Sequence, residues 1–296
     1  MLRKRVPSSE RNWEFNPAKE STMKYGLHGL LVRYSNVATD IKIAAQTGYD
    51  AVELHTDKLD RYLAAGFTGK DIKEILDRHE MQVSCIDIIG DVETQDPQKF
   101  SQVMDKARLL VDTAVEIGCD TIQLNAFSEL DGRSEQENID LTAANIKQIC
   151  ALGKDRGIRF QYEGAAWTPI HTVDQCEALV DAVDMDNFGL VIDFWHFWAS
   201  RGGDPDRISK IDNKRIFGVH VADGFRPELG QPWVDETLLR GALPGDGELP
   251  LKDYIEAVQA TGYDGYCSGE ILCHKLWEAD LFDIAADTLK RLKQLL

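Results

Sequence analysis

The chain has no apolar run approaching the ~20 uninterrupted residues that a membrane helix needs, so a membrane-spanning role is not expected. It is also poor in positive charge: 33 Lys and Arg against 50 Asp and Glu give a net charge of −17. A surface that acidic repels phosphate backbones, and no Lys/Arg run lies beyond the extreme N-terminus, so nucleic acid is not an expected partner. The six cysteines, Cys85, Cys119, Cys150, Cys176, Cys267 and Cys273, form no CxxC pair. Several lie inside apolar segments, which reads as buried free thiols in a reducing, cytoplasmic setting and not as a disulfide framework. No G-x-G-x-x-G turn follows any candidate strand, which argues against a doubly wound dinucleotide-binding sheet. Residues 1–22 are polar and charged and lack the apolar core of a signal peptide; they read as an extension before Met23, where the ordered pattern starts.

From Met23 one unit repeats: a short β-rich run, a polar loop, then an amphipathic helix. Enrichment in Val, Ile, Tyr and Phe and short length predict strands at 24–27, 51–54, 82–88, 121–124, 159–163, 189–193, 216–221 and 265–271. Apolar residues at helical spacing predict helices over 71–79, 100–117, 139–154 and 251–260. Gly48, Gly118, Gly157 and Gly262 stand where a helix should stop before the next strand, since glycine takes the left-handed conformation that ends a helix. Eight such units without a break in composition predict an α/β fold, a single (β/α)8 TIM barrel over 23–296. The segment 223–250, with Pro227, Pro232, Pro244, Gly241, Gly245 and Gly247, is longer than an ordinary connection and reads as a binding loop or lid.

Active sites of such barrels lie at the C-terminal ends of the strands. Four consecutive candidate strands end in residues able to bind metal: Glu163, Asp193, His220 and Glu270. Three carboxylates and one imidazole make an oxygen-rich set that suits one divalent ion, Mn²⁺ first, with Mg²⁺, Co²⁺ or Zn²⁺ as alternatives. A structural ring of ion pairs is the competing reading, but three acids with one His would need cations for balance. His196, three residues after Asp193, reaches the same pocket, either as a contact to substrate oxygens or as a packing residue among aromatics. His28, Glu53, His55, Asp87, Gln123 and Asn125 lie at or near the ends of the first four strands and could hydrogen-bond a polyhydroxylated ligand. Trp167, Trp195 and Trp198 offer apolar faces for a sugar ring or belong to the core. Arg240 could clamp an anionic or carbonyl oxygen, or be a solvated loop residue.

The run Asn187-Phe188-Gly189-Leu190-Val191-Ile192-Asp193-Phe194-Trp195-His196 resembles the xylose isomerase-like sugar phosphate isomerase/epimerase superfamily. So do Val219-His220-Val221-Ala222-Asp223, the turn Pro244-Gly245-Asp246-Gly247, and Ser268-Gly269-Glu270. The resemblance covers 23–296, and within the superfamily the chain looks closest to the inosose isomerase-like branch. It implies a TIM barrel with one divalent metal held by Glu163, Asp193, His220 and Glu270. It further implies Glu163 and Glu270 as the acid/base pair on opposite faces of the substrate, with His196 on substrate oxygens. Arg240 matches the family's loop arginine only loosely, because one extra residue separates it from the Pro-Gly turn.

The expected function is a metal-dependent isomerase or epimerase of a sugar, ketose or keto-inositol, acting through a metal-stabilised enediolate. His196, Arg240, His55, Asn125 and Trp195 are the expected substrate contacts, and the partner is a small polyhydroxylated or keto compound. Homo-oligomerisation is left open. A lyase of the same superfamily is the nearest rival: a 3-dehydroshikimate or inosose dehydratase, or a C-glycoside deglycosidase subunit. An endonuclease IV-type repair enzyme would need more histidines than the seven present and a basic surface. A non-catalytic sugar-binding protein sits poorly with an intact metal set.

Overall fold

The β-rich runs become eight strands because each buries nearly every residue between the barrel interior and the surrounding helices, as parallel strands require. They are β1 (Lys24–His28), β2 (Ala51–His55), β3 (Gln82–Ile89), β4 (Thr121–Leu124), β5 (Arg159–Tyr162), β6 (Phe188–Asp193), β7 (Ile216–Val221) and β8 (Tyr266–Gly269). In the computed structural model, which describes residues 23–127, 132–228 and 236–296, all eight pair in parallel with their sequence neighbours and β8 closes on β1. The expected single (β/α)8 barrel is therefore the observed fold. The N-terminal extension 1–22 and part of the long loop, including Pro232, lie outside the described residues.

Two strand ends differ from the sequence reading where it matters. β5 stops at Tyr162 and β8 at Gly269, so Glu163 and Glu270 each stand one residue beyond their strand. Their N–H groups still donate to the neighbouring strands, Glu163 to Leu124 O at 3.0 Å and Glu270 to Val221 O at 3.1 Å. After Glu163 the chain turns at once, with Ala165 N donating back to Glu163 O at 3.2 Å. Both glutamates are thus held by the ladder yet stand at the rim.

The helices form the outer layer. Those at Gly69–His79, Pro97–Ile117, Glu135–Gly153 and Leu251–Thr261 contain the four expected ones nearly whole. The third starts before residue 139 because Ser134 and Glu137 form a capping box, and a polar first turn on the surface leaves no apolar period to read. Gly48, Gly118 and Gly262 cap helices in the left-handed conformation, and Gly157 does so after a short 3-10 turn. The run Phe194–Ser200 is a helix, starting directly from β6, with Asp193 as its N-cap.

The described part of 223–250 folds back beside β7. Asp223 bridges Ala242, and its carboxylate accepts hydrogen bonds from Gly224 N (2.7 Å), Gly245 N (2.9 Å), Gly247 N (2.9 Å) and Leu249 N (3.2 Å). Gly247 must be glycine here, since a Cβ would lie 2.1 Å from Asp223 Oδ1. Among the described residues no helix is long and apolar enough to cross a membrane. All six cysteines are free, five of them buried.

Candidate metal centre

Asp193 and His220 are direct partners in the β6–β7 register, so neighbouring strands deliver one carboxylate and one imidazole side by side. Glu163 and Glu270 arrive from β5 and β8 on either flank. One ligand atom from each of Glu163, Asp193, His220 and Glu270 lies within 4.8 Å of the others, and all four residues are buried. His220 Nδ1 is 2.8 Å from Glu270 Oε2 and 3.5 Å from Glu163 Oε1. None of these three atoms is aligned in a hydrogen bond. Buried polar atoms are rarely left so. Buried oxygens and a ring nitrogen converging in this way suit a cation, and an oxygen-rich N/O donor set suits a divalent one. An overlapping set, His28, His220 and Glu270, also converges: His28 Nδ1 accepts from Leu30 N at 3.1 Å, which leaves its buried Nε2 without an aligned hydrogen bond.

Asp193 has its second job in the local fold: Oδ1 accepts from His196 N at 2.7 Å to start the helix, which leaves Oδ2 facing the site. Of the two readings of Arg240, the solvated loop residue is the one the fold removes: Arg240 is 1% exposed, with Nη2 2.8 Å from Asp193 Oδ2 and 3.0 Å from Glu270 Oε2. Its Nη1 lies 2.8 Å from His196 Nε2 and 3.1 Å from Glu236 Oε2. One guanidinium therefore spans the acidic cluster, His196 and the loop.

The electrostatics follow from burial among like charges. Burial and the Glu270 charge push the Glu163 carboxyl up to about 7. Burial also raises Glu270, but Arg240, His28 and His220 outweigh it and hold that carboxyl well below the usual range. Burial opposes a charge on His220, yet Glu53, Glu163 and Glu270 reverse the balance and raise it. That is the proton a bound cation would displace, since metal ligation requires the neutral imidazole. His196, flanked by Ala166 N at 3.2 Å and by Arg240, is held neutral by burial and by the guanidinium charge.

Other expected contacts fall in different places. Asn125 Nδ2 lies 3.4 Å from Glu163 Oε2 and 3.3 Å from Glu163 O, so it orients a glutamate as well as facing the mouth. His55 is half-buried at the rim, caps the following helix through Asp57 N, and stands 3.8 Å from Asp87. Trp195 does not offer a face to a sugar. It is fully buried, with Arg240 5.3 Å over its ring and His196 edge-on, because the helix rotates it inward beneath the site. Trp198 is also buried, under Arg226, whereas Trp167 is only partly covered and meets His196 at 4.9 Å. Sequence reasoning missed Glu236, whose carboxyl burial pushes up to about 7. Its spacing of four residues before Arg240 was the available signal.

The family described as xylose isomerase-like TIM barrel matches residues 41–295. A 3-dehydroshikimate dehydratase of Pseudomonas aeruginosa is 26% identical over 78% of the chain, which spans 35% of that longer protein. An inosose isomerase of Bacillus velezensis is 22% identical over 88% of the chain and 90% of its own length. The crystal structure of the IOLI protein with a bound zinc atom superposes with a TM-score of 0.84 at 19% identity, covering 93% of this chain and 99% of that one. With the closed eight-stranded barrel, the match across nearly the whole described chain makes this protein a member of the xylose isomerase-like TIM barrel family.

Proposed function

We propose that this chain is a divalent-metal-dependent isomerase or epimerase of a sugar, ketose or keto-inositol. The observation that carries it is the convergence of Glu163 Oε1, His220 Nδ1 and Glu270 Oε2, buried and without aligned hydrogen bonds, beside Asp193. Glu163, Asp193, His220 and Glu270 would hold the ion. Such an ion supplies Lewis acidity, drawing charge from a carbonyl and its neighbouring hydroxyl so that the adjacent C–H becomes acidic enough to remove. Mn²⁺ fits the oxygen-rich set, and the zinc bound by the IOLI protein makes Zn²⁺ the alternative.

The chain's own residues do the rest. Glu163 and Glu270 come from strands on opposite sides of β6 and β7 and face one another across His220. One takes the proton from carbon and the other returns one. Asn125 steadies Glu163, while Arg240 and His196 stand ready to meet substrate oxygens. Return to the neighbouring carbon is isomerisation, and return to the opposite face of the same carbon is epimerisation.

A lyase is the second reading, favoured by the similarity to the Pseudomonas dehydratase and by the half-covered Trp167 at the mouth. There the same carboxylates would remove the proton and protonate a departing β-hydroxyl. The test is a screen of keto-inositols, ketoses and 3-dehydroshikimate in D₂O with added Mn²⁺ or Zn²⁺, read by NMR. Isomers carrying deuterium support the first reading; a dehydrated product replaces it with the second.

A further inference from the structure

Glu53 was expected at the ligand-facing mouth; it lies instead behind the metal centre. It is 2% exposed, and its Oε1 is 3.1 Å from Nε2 of His220, on the side of the ring away from the other ligands. β2 and β7 are not neighbours, since β8 and β1 stand between them, so this contact crosses the barrel interior. The packing around it is specific. Gly26 on β1 must lack a Cβ, which would lie 2.5 Å from Ser268 Oγ, and Ser268 is in turn a hydrogen-bonding partner of Glu53. The His28 ring meets His220 edge-on at 5.0 Å and closes the remaining side.

We propose that Glu53 is the positioning residue of His220. A neutral imidazole has one N–H and one lone pair, and the hydrogen bond made by one nitrogen decides what the other can do. With Nε2–H donating to Glu53, the lone pair sits on Nδ1, the atom that faces Glu163 and Glu270. Glu53 thereby sets the tautomer, holds the ring plane and makes Nδ1 a stronger donor to a cation, as carboxylates behind metal-bound histidines generally do. Glu53 is not among the residues that converge on the candidate ion site, and it reaches that site through His220. This assignment rests on the metal reading above.

The test is zinc titration of the full chain against a competing chelator, with ¹⁵N-imidazole NMR of the zinc-loaded protein. Glu53→Ala is expected to weaken zinc binding by about 10–100-fold. Glu53→Gln, whose amide oxygen still accepts from Nε2–H, should recover part of that loss, a rescue that a merely structural role would not give. In the wild type, His220 should show a protonated Nε2 and a zinc-bound Nδ1. Wild-type zinc affinity in both variants overturns the proposal while leaving the metal reading intact; His220 protonated on Nδ1 in the zinc-loaded protein overturns the proposal and removes that atom from the ligand set. A wild type that takes up no metal overturns both. If Glu53→Ala does not fold, the Glu53→Gln titration and the wild-type spectrum still decide.

Discussion

Arg240 Nη2 sits 2.8 Å from Asp193 Oδ2, and both side chains are 1% exposed. A buried guanidinium beside a carboxylate of the candidate metal centre offsets part of the acidic cluster's charge, and removing one partner of such a pair commonly costs about 3–5 kcal/mol. Arg240→Met is therefore expected to lower the melting temperature of metal-free protein and to lower it much less once metal is added. Calorimetric melting with chelator and with Mn²⁺ checks this. An equal drop under both conditions would show that Arg240 and a cation do not share the balancing of these acids. Turnover should fall in either case, because Arg240 also reaches His196.

Glu163→Gln and Glu270→Gln keep the volume of each side chain and remove its proton chemistry. Each should reduce turnover of the screened substrate by at least about 10²–10⁴-fold with the fold intact by circular dichroism. Near-normal activity in either variant would remove that residue from proton transfer.

Asp223 holds the turn at Gly245–Leu249 through three N–H groups, those of Gly245, Gly247 and Leu249. Hydrogen bonds to a charged acceptor contribute about 1.5–3 kcal/mol each, and losing them frees a loop locally before the barrel unfolds. Asp223→Ala and Gly247→Ala should both speed hydrogen exchange at Gly245, Gly247 and Leu249, by about 10-fold or more, with barrel strands unchanged. Exchange unchanged in both would show that this carboxylate does not set the loop.

Asp40 is buried against Lys58 Nζ, at 2.8 Å. Burial raises its carboxyl from 3.8 to about 6, despite the opposing Lys58 charge. An acid whose folded pKa is raised binds more protons folded than unfolded, so its contribution to stability falls as pH rises through this window. Between pH 4 and 6 the wild type should lose about 2 kcal/mol relative to Asp40→Asn, read from urea midpoints across pH. A flat difference would show that Asp40 stays charged throughout.

The eight strands were legible because each is a short apolar run, and four of the helical connections end at a glycine, so local chemistry suffices for both. The four ligand candidates were legible for a related reason: barrel topology puts every strand's C-terminal end on one rim, so a polar residue at the end of an apolar run is placed by its position alone. Arg240 was not legible. It lies on a long loop, where spacing says nothing about direction, and its seat is made by Asp193, His196 and Glu270 from distant parts of the chain. Trp195 was read as a sugar platform because aromatics beside a site look alike in sequence; only the rotation of the Phe194–Ser200 helix turned it into the core. Glu53 shows the same limit most plainly. A carboxylate at the end of β2 reads as one more ligand contact, and nothing within β2 says that His220 stands opposite. Sequence alone determined the barrel and the rim residues, because period, caps and strand ends are local. Tertiary structure decided which rim residue faces the mouth and which supports from behind, because that depends on distances across the closed barrel between strands far apart in the chain.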